Sequence, residues 1–217
     1  GIFRGKRGAE MTYAIEARDL YYTYEDGTVA LDHISFRAER GKMTGILGAN
    51  GAGKSTLFLN LNGVLTPAGG EVRVDGVPVT YDRKGLISVR KQVGIVFQDP
   101  DDQLFSADVY RDISFGGVNL GLPEEEVRRR VDEAMEWTGV THLKGKPTHA
   151  LSFGQKKRVA IAGVLVMEPS VVILDEPTAG LDPQGVSDIM RLLAELRGRL
   201  GMTIIIATHD MDIVPLY

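Results

Sequence analysis

The run Gly48-Ala-Asn-Gly51-Ala-Gly53-Lys54-Ser55 constrains this chain more than any other feature, because it follows the apolar segment 43–47 and opens a segment of helical character. Small residues at this spacing let successive backbone N–H groups wrap a polyphosphate, and the helix that follows aims the positive end of its dipole at the same anion. In such a loop Lys54 reaches the β- and γ-phosphates, Ser55 ligates Mg²⁺ and Thr56 hydrogen-bonds the α-phosphate. The backbone N–H groups from Gly48, Asn50, Gly51 and Gly53 supply the cradle. The motif works only between a strand and a helix, so an α/β fold is expected.

The rest of the chain agrees. The apolar runs 43–47, 93–97 and 171–174, with 204–206, are strand-sized and uninterrupted, as strands buried on both faces of a parallel sheet are. From Tyr13 to Lys42 short β-like runs alternate with turn signals at Asp26-Gly27 and near residues 39–41, and residues 72–79 read as a hairpin turned at Asp75-Gly76. These pieces predict an antiparallel lobe. Between Leu104 and Glu168 the pattern becomes helical: Glu124, Glu125 and Glu126 make an acidic first turn after Pro123, and Val127, Val131 and Met135 recur at four-residue spacing until Gly139. A last helix is expected after the Asp182-Pro183 pair, with Val186, Ile189, Leu193, Leu196 and Leu200 on its buried face and Gly201 as its stop.

Composition excludes several functions. The 217 residues are 43% hydrophobic and 25% charged, ordinary for a soluble globular protein. A net charge of −4 argues against a general nucleic-acid binder, which would carry a positive field. Without cysteine there are no disulfides and no thiolate chemistry. No stretch approaches the roughly 18 apolar residues of a membrane-spanning helix. Residues 1–10 are expected to be an extension ahead of a start at Met11, and residues 11–217 a single domain with a helical subdomain over about 100–168.

A second carboxylate station stands at Asp175 and Glu176, where a buried strand ends abruptly in two acids. Beside a phosphate loop, Asp175 is placed to hold the Mg²⁺ shell and Glu176 to polarise an attacking water. Further stations follow: Gln98 after the strand 93–97, Leu151-Ser-Phe-Gly154-Gln155 before a helix, Ala179-Gly-Leu-Asp182 after Glu176, and His209 at the end of the strand near 204–207. In this order and spacing the chain resembles the ATP-binding-cassette ATPases from Tyr13 to His209. The resemblance implies a phosphate-loop ATPase cassette with a mostly parallel core sheet, an antiparallel β lobe and a helical insertion.

It also implies roles. Two cassettes would close head to tail, so that Ser152, Gly154 and Gln155 complete the partner's ATP site and Asp182 contacts the partner's phosphate loop. His209 would be the switch histidine beside Glu176, Gln98 would touch Mg²⁺ and water, and Tyr24 would stack on adenine, with Tyr22 as the alternative. Phe153 stands where the usual motif has glycine; the change is expected to be tolerated because the γ-phosphate donors remain.

The tract Gln98-Asp-Pro-Asp-Asp-Gln103-Leu-Phe and the segments 151–158 and 160–163 are similar to the cobalt/nickel-type importers and the energy-coupling-factor transporters. That implies an ATPase peripheral to the cytoplasmic face of a membrane, driving uptake of a metal ion or vitamin through integral membrane subunits. It also implies a short helix beginning at Gln103 that faces a groove for those subunits. The competing class is a soluble cassette acting on ribosomes or DNA, for which Lys156, Lys157, Arg158 and Arg128 to Arg130 would be the basic clusters; these are read instead as helix-surface decoration. Small-molecule kinases share the phosphate loop but lack Ser152 to Gln155 and His209. Cassettes of the family normally continue past the switch histidine, so a truncated C-terminus is expected at Tyr217.

Overall fold

The computed structural model describes residues 13–47 and 52–209. The stations expected at Gly48, Asn50 and Gly51, the segment 1–10 and the end of the chain lie outside them.

Two sheets carry the fold. Strands β1 (Tyr13–Thr23), β2 (Val29–Glu39), β4 (Gly69–Val74) and β5 (Val77–Pro78) form an antiparallel sheet in the order β2-β1-β4-β5. Strands β3 (Met43–Leu47), β6 (Val93–Val96), β7 (Val171–Asp175) and β8 (Thr203–Thr208) form a parallel sheet in the order β3-β8-β7-β6. Every residue of β7 and β8 is buried. That is why their sequences are unbroken apolar runs rather than alternations.

Strand alternation divides the parallel sheet between two cores. Val171, Ile173, Ile205 and Ala207 face a core shared with the antiparallel sheet and with Leu57, Phe58 and Leu61 of helix α1 (Ala52–Leu61). Val172, Leu174, Ile204 and Ile206 face the helical side. There α3 (Val109–Asn119), α4 (Glu124–Thr138) and α5 (Phe153–Leu165) fill the stretch between β6 and β7, and α6 (Pro183–Leu200) links β7 to β8. Helix α4 starts on its three glutamates and ends at Gly139, whose left-handed φ of 72° lets the chain turn without a Cβ clash.

Several expectations need correction. Helix α2 (Arg83–Gln92) was invisible to the apolar pattern because Val89 is its one buried residue; its signals are the Asp82 cap on Gly85 N–H and the final Arg90 and Lys91. On α6, Leu200 is exposed while Met190 and Leu192 join the core: the stripe rotates before the last turn. No helix begins at Gln103. The short helical turn is Pro100–Asp102, capped by Asp99, and the Gln103 side chain instead donates to Ile95 O at 3.1 Å and accepts from Phe97 N–H at 2.9 Å. The basic clusters are not simple surface decoration either. Lys157 is buried, Arg158 donates to Thr138 O at 2.9 Å, and Arg130 both pairs with Glu126 and reaches Val166 O. Among the described residues no helix is long and apolar enough to cross a membrane.

Met135 is fully buried on α4 in the helical core. Met135→Ala is expected to destabilise the protein by about 2–5 kcal/mol in urea unfolding. A loss under about 1 kcal/mol would show that α4 does not contribute to the cooperative core.

Candidate functional site

The parallel sheet brings the expected stations together at the carboxyl ends of its strands, where open α/β sheets bind ligands. The strands β3 and β7 flank β8, so the helix after β3, the acids ending β7 and the histidine after β8 meet. The Lys54 ammonium, on the first turn of α1, lies 2.9 Å from Asp175 Oδ1 and 3.3 Å from Glu176 Oε1. His209 N–H donates to the same Glu176 oxygen at 3.1 Å, and His209 Nδ1 stands 3.0 Å from it. Glu176 is only 2% exposed, whereas the His209 side chain is open to solvent.

Burial opposes the charge on Glu176, but the His209 hydrogen bond and the Lys54 charge outweigh it and hold the carboxyl below its ordinary 4.5. Burial likewise opposes the Lys54 ammonium, and the two carboxylates overcome it and raise its pKa above 10.5. Lys54 and Glu176 therefore stabilise each other's charged forms. Glu176 also carries a left-handed φ of 46°, unusual for a residue with a side chain. Its N–H donates to Ala207 O at 2.8 Å and its carbonyl accepts from Ala179 N–H at 3.1 Å, so strand pairing and a tight turn hold this backbone in place.

Asp175 Oδ1 fits a hard cation. It is an anionic oxygen at the end of β7, 2.9 Å from the Lys54 ammonium, of the kind a hard cation takes. The exposed Ser55 follows Lys54 on α1 and offers a hydroxyl oxygen. Among the described residues no group of three or more His, Cys, Asp or Glu is ready to hold a metal. That donor set suits Mg²⁺, which keeps waters and shares phosphate oxygens rather than filling an all-protein cage.

The other expected residues fall in separate places. The hydroxyls of Tyr24 and Thr56 hydrogen-bond, joining the end of β1 to α1; Thr56 is buried and the Tyr24 ring is 36% exposed, edge-to-face with Tyr22. Ser152 and Gln155 form a reciprocal capping box on α5, in which Ser152 Oγ accepts from Gln155 N–H and Gln155 Oε1 accepts from Ser152 N–H. Asp182 caps α6 through Gly185 N–H at 2.7 Å. Gln98 has an exposed side chain, and its carbonyl accepts from Lys157 Nζ at 3.1 Å. Sequence reasoning missed Lys157. Its signal was the four-residue spacing from Phe153, which stacks the two side chains on one helix face.

These features define a class before a branch. The family model described as ABC transporter matches residues 31–179. An ATP-binding cassette solved as a dimer in a post-hydrolysis state with ADP and Pi superposes with a TM-score of 0.79 at 27% identity, over 92% of this chain and 90% of that one. The class is that of the ABC ATPases. CbiO1 of Clostridium perfringens, described as part of the ABC transporter complex cbiONQ, gives a TM-score of 0.87 at 64% identity over 95% of this chain and 82% of that one. The energy-coupling factor transporter ATP-binding protein EcfA2 of C. perfringens is 64% identical over 205 residues, 94% of this chain and 72% of that protein. The chain belongs to the energy-coupling factor transporter ATP-binding proteins of the ABC transporter family.

Glu176 supplies stability above its ordinary pKa that is lost as the pH falls through its lower folded-state value. Lys54→Met removes one cause of that lowering. Carbon NMR of the Glu176 carboxyl is expected to titrate at higher pH in Lys54→Met than in the parent; an unmoved titration would refute the ion pair.

Proposed function

We propose that the chain binds ATP with Mg²⁺ on the loop 48–55 and hydrolyses it after pairing head to tail with a second cassette, identical or paralogous, as the motor of an importer. The observation that carries this is the Lys54, Asp175, Glu176 and His209 cluster, since it gathers a phosphate-binding cation, a cation-binding carboxylate and a shielded base within hydrogen-bond reach of one another.

The triphosphate takes over the Lys54 ammonium, freeing the carboxylates. Asp175 and Ser55 would hold Mg²⁺, with Gln98 in its water shell, and such an ion would supply neutralisation of the charge developing on the phosphates. Glu176, kept ionised and oriented by His209, accepts the proton of the attacking water. The amides of Gly48, Asn50, Gly51 and Gly53 would cradle the phosphates, Thr56 would hydrogen-bond the α-phosphate and Tyr24 would stack on the adenine. From the partner, Ser152 supplies its hydroxyl proton, Gly154 its N–H and Gln155 the first turn of α5 to the γ-phosphate, while Asp182 contacts the opposite phosphate loop. The partner's donors bind the γ-phosphate, so ATP draws the cassettes together and hydrolysis releases them.

The membrane side is supported by an exposed groove between residues 103–105 and helices α3 and α5. Phe105, 64% exposed, packs edge-to-face on Phe115, 46% exposed, at 4.7 Å, and Gly116, Gly163 and Met167 line the floor. Exposed aromatic pairs of this kind anchor partner helices. Residues 11–217 act as one cassette with 100–168 as its helical part, docked by this groove to integral membrane subunits at the cytoplasmic face. The cargo those subunits carry is cobalt, nickel or a vitamin.

Glu176→Gln is expected to lower ATP turnover by about 10²–10⁴-fold and to accumulate an ATP-bound dimer in size-exclusion chromatography. Near-parental turnover would reject the assignment. Phe105→Glu is expected to abolish co-purification with the membrane subunits while leaving ATP affinity unchanged, and retained co-purification would move the docking surface elsewhere.

A further inference from the structure

Three segments that reach the site from different parts of the chain meet around one buried lysine. Lys157, on the first turns of α5, is 4% exposed and donates to Gln98 O at 3.1 Å. Its ammonium also lies 5.0 Å from the centre of the Phe153 ring, one helical turn back. The same ring lies against Gly180: a Cβ built there would stand 2.8 Å from Phe153 Cε1. Gly180 holds a φ of 77°, so position 180 needs glycine both for backbone conformation and for the approach of the ring. Gly180 directly follows Ala179, whose N–H closes a turn on Glu176 O. Alongside, Lys156 pairs with Asp101 at 2.8 Å, a second link from α5 to the segment after Gln98.

We propose that Lys157 and Phe153 are positioning residues that lock the Gln98 loop, the capped start of α5 and the Glu176–Asp182 turn into one unit, so that the γ-phosphate-binding surface offered to a partner and the hydrolytic base move together. The proposal rests on the ATPase reading above and adds to it a cis connection that passes through neither nucleotide nor metal. Three observations carry it: a buried cation whose hydrogen bond goes to a loop carbonyl, an aromatic face in cation–π range, and a glycine that leaves room for the ring. The departure from glycine at position 153 thereby gains a role of its own. The ring, itself 39% exposed, touches both Gly180 and the Lys157 ammonium.

The test measures kcat and KM for ATP with Mg²⁺ in the purified full chain and in Phe153→Leu, Phe153→Tyr, Lys157→Met and the Phe153→Leu/Lys157→Met double variant. Phe153→Tyr, which keeps the ring, is expected to match the parent. Phe153→Leu and Lys157→Met each lower kcat about tenfold with KM within about twofold, and the double variant is no slower than the slower single one, because both break the same unit. Additive losses in the double variant, a parental kcat in Phe153→Leu, or an equal loss in Phe153→Tyr would overturn the proposal. If Lys157→Met fails to fold, the Phe153→Leu and Phe153→Tyr pair decides it. Failure of the underlying ATPase reading shows separately, as a parent chain that neither binds nor hydrolyses ATP; a parent that does both while Phe153→Leu is unaffected removes the positioning unit alone.

Discussion

One ammonium group between two carboxylates organises the site. Lys54 sits within 2.9 Å of Asp175 and 3.3 Å of Glu176, and all three side chains are almost sealed from water. Burying two adjacent carboxylates without that cation would leave an uncompensated charge that costs several kcal/mol. On the proposed function, phosphate oxygens would satisfy the ammonium and a cation would satisfy Asp175 in its place. Glu176 is held on its other side by His209 N–H and Nδ1.

The fold makes this triad affordable by placing it where strands end. Buried runs in β7 and β8 anchor two cores at once, through Val172 and Leu174 on one face and Val171 and Ile173 on the other, so the ends of these strands are held rigidly. Beyond Asp175 the chain turns sharply, and Glu176 accepts a left-handed backbone conformation that its surroundings enforce. The helical side is joined to this end by Lys157 and Lys156 on α5. Motion of α5 and motion of the Gln98 loop are therefore mechanically linked before any ligand arrives.

Much of this was legible in the sequence because the signals were periodic or stereochemical. The apolar strands, the glutamate-led start of α4, the Asp182 cap and the Gly139 and Gly201 stops each follow from local physics, and the sheet order put Lys54, Asp175, Glu176 and His209 in one place. What could not be read depended on tertiary contact. Helix α2 buries one residue and offers little periodicity. Lys157 looks like a solvated member of a basic run until α5 is docked, when its ammonium is enclosed between a carbonyl and a ring. The tract after Pro100 forms a turn rather than a helix at Gln103 because that side chain is more useful satisfying Ile95 O and Phe97 N–H. The motif 48–55 is read from sequence, and its residues 48–51 lie outside the described residues.

The most direct measurement is a crystal structure of the protein with Mg²⁺ and a non-hydrolysable ATP analogue. The account predicts that the Lys54 ammonium leaves Asp175 and Glu176 for the β- and γ-phosphates, that the cation contacts Ser55 and the Asp175 side, and that the Glu176 bond to His209 persists. A structure in which Lys54 remains paired with both carboxylates while the analogue lies elsewhere would contradict it.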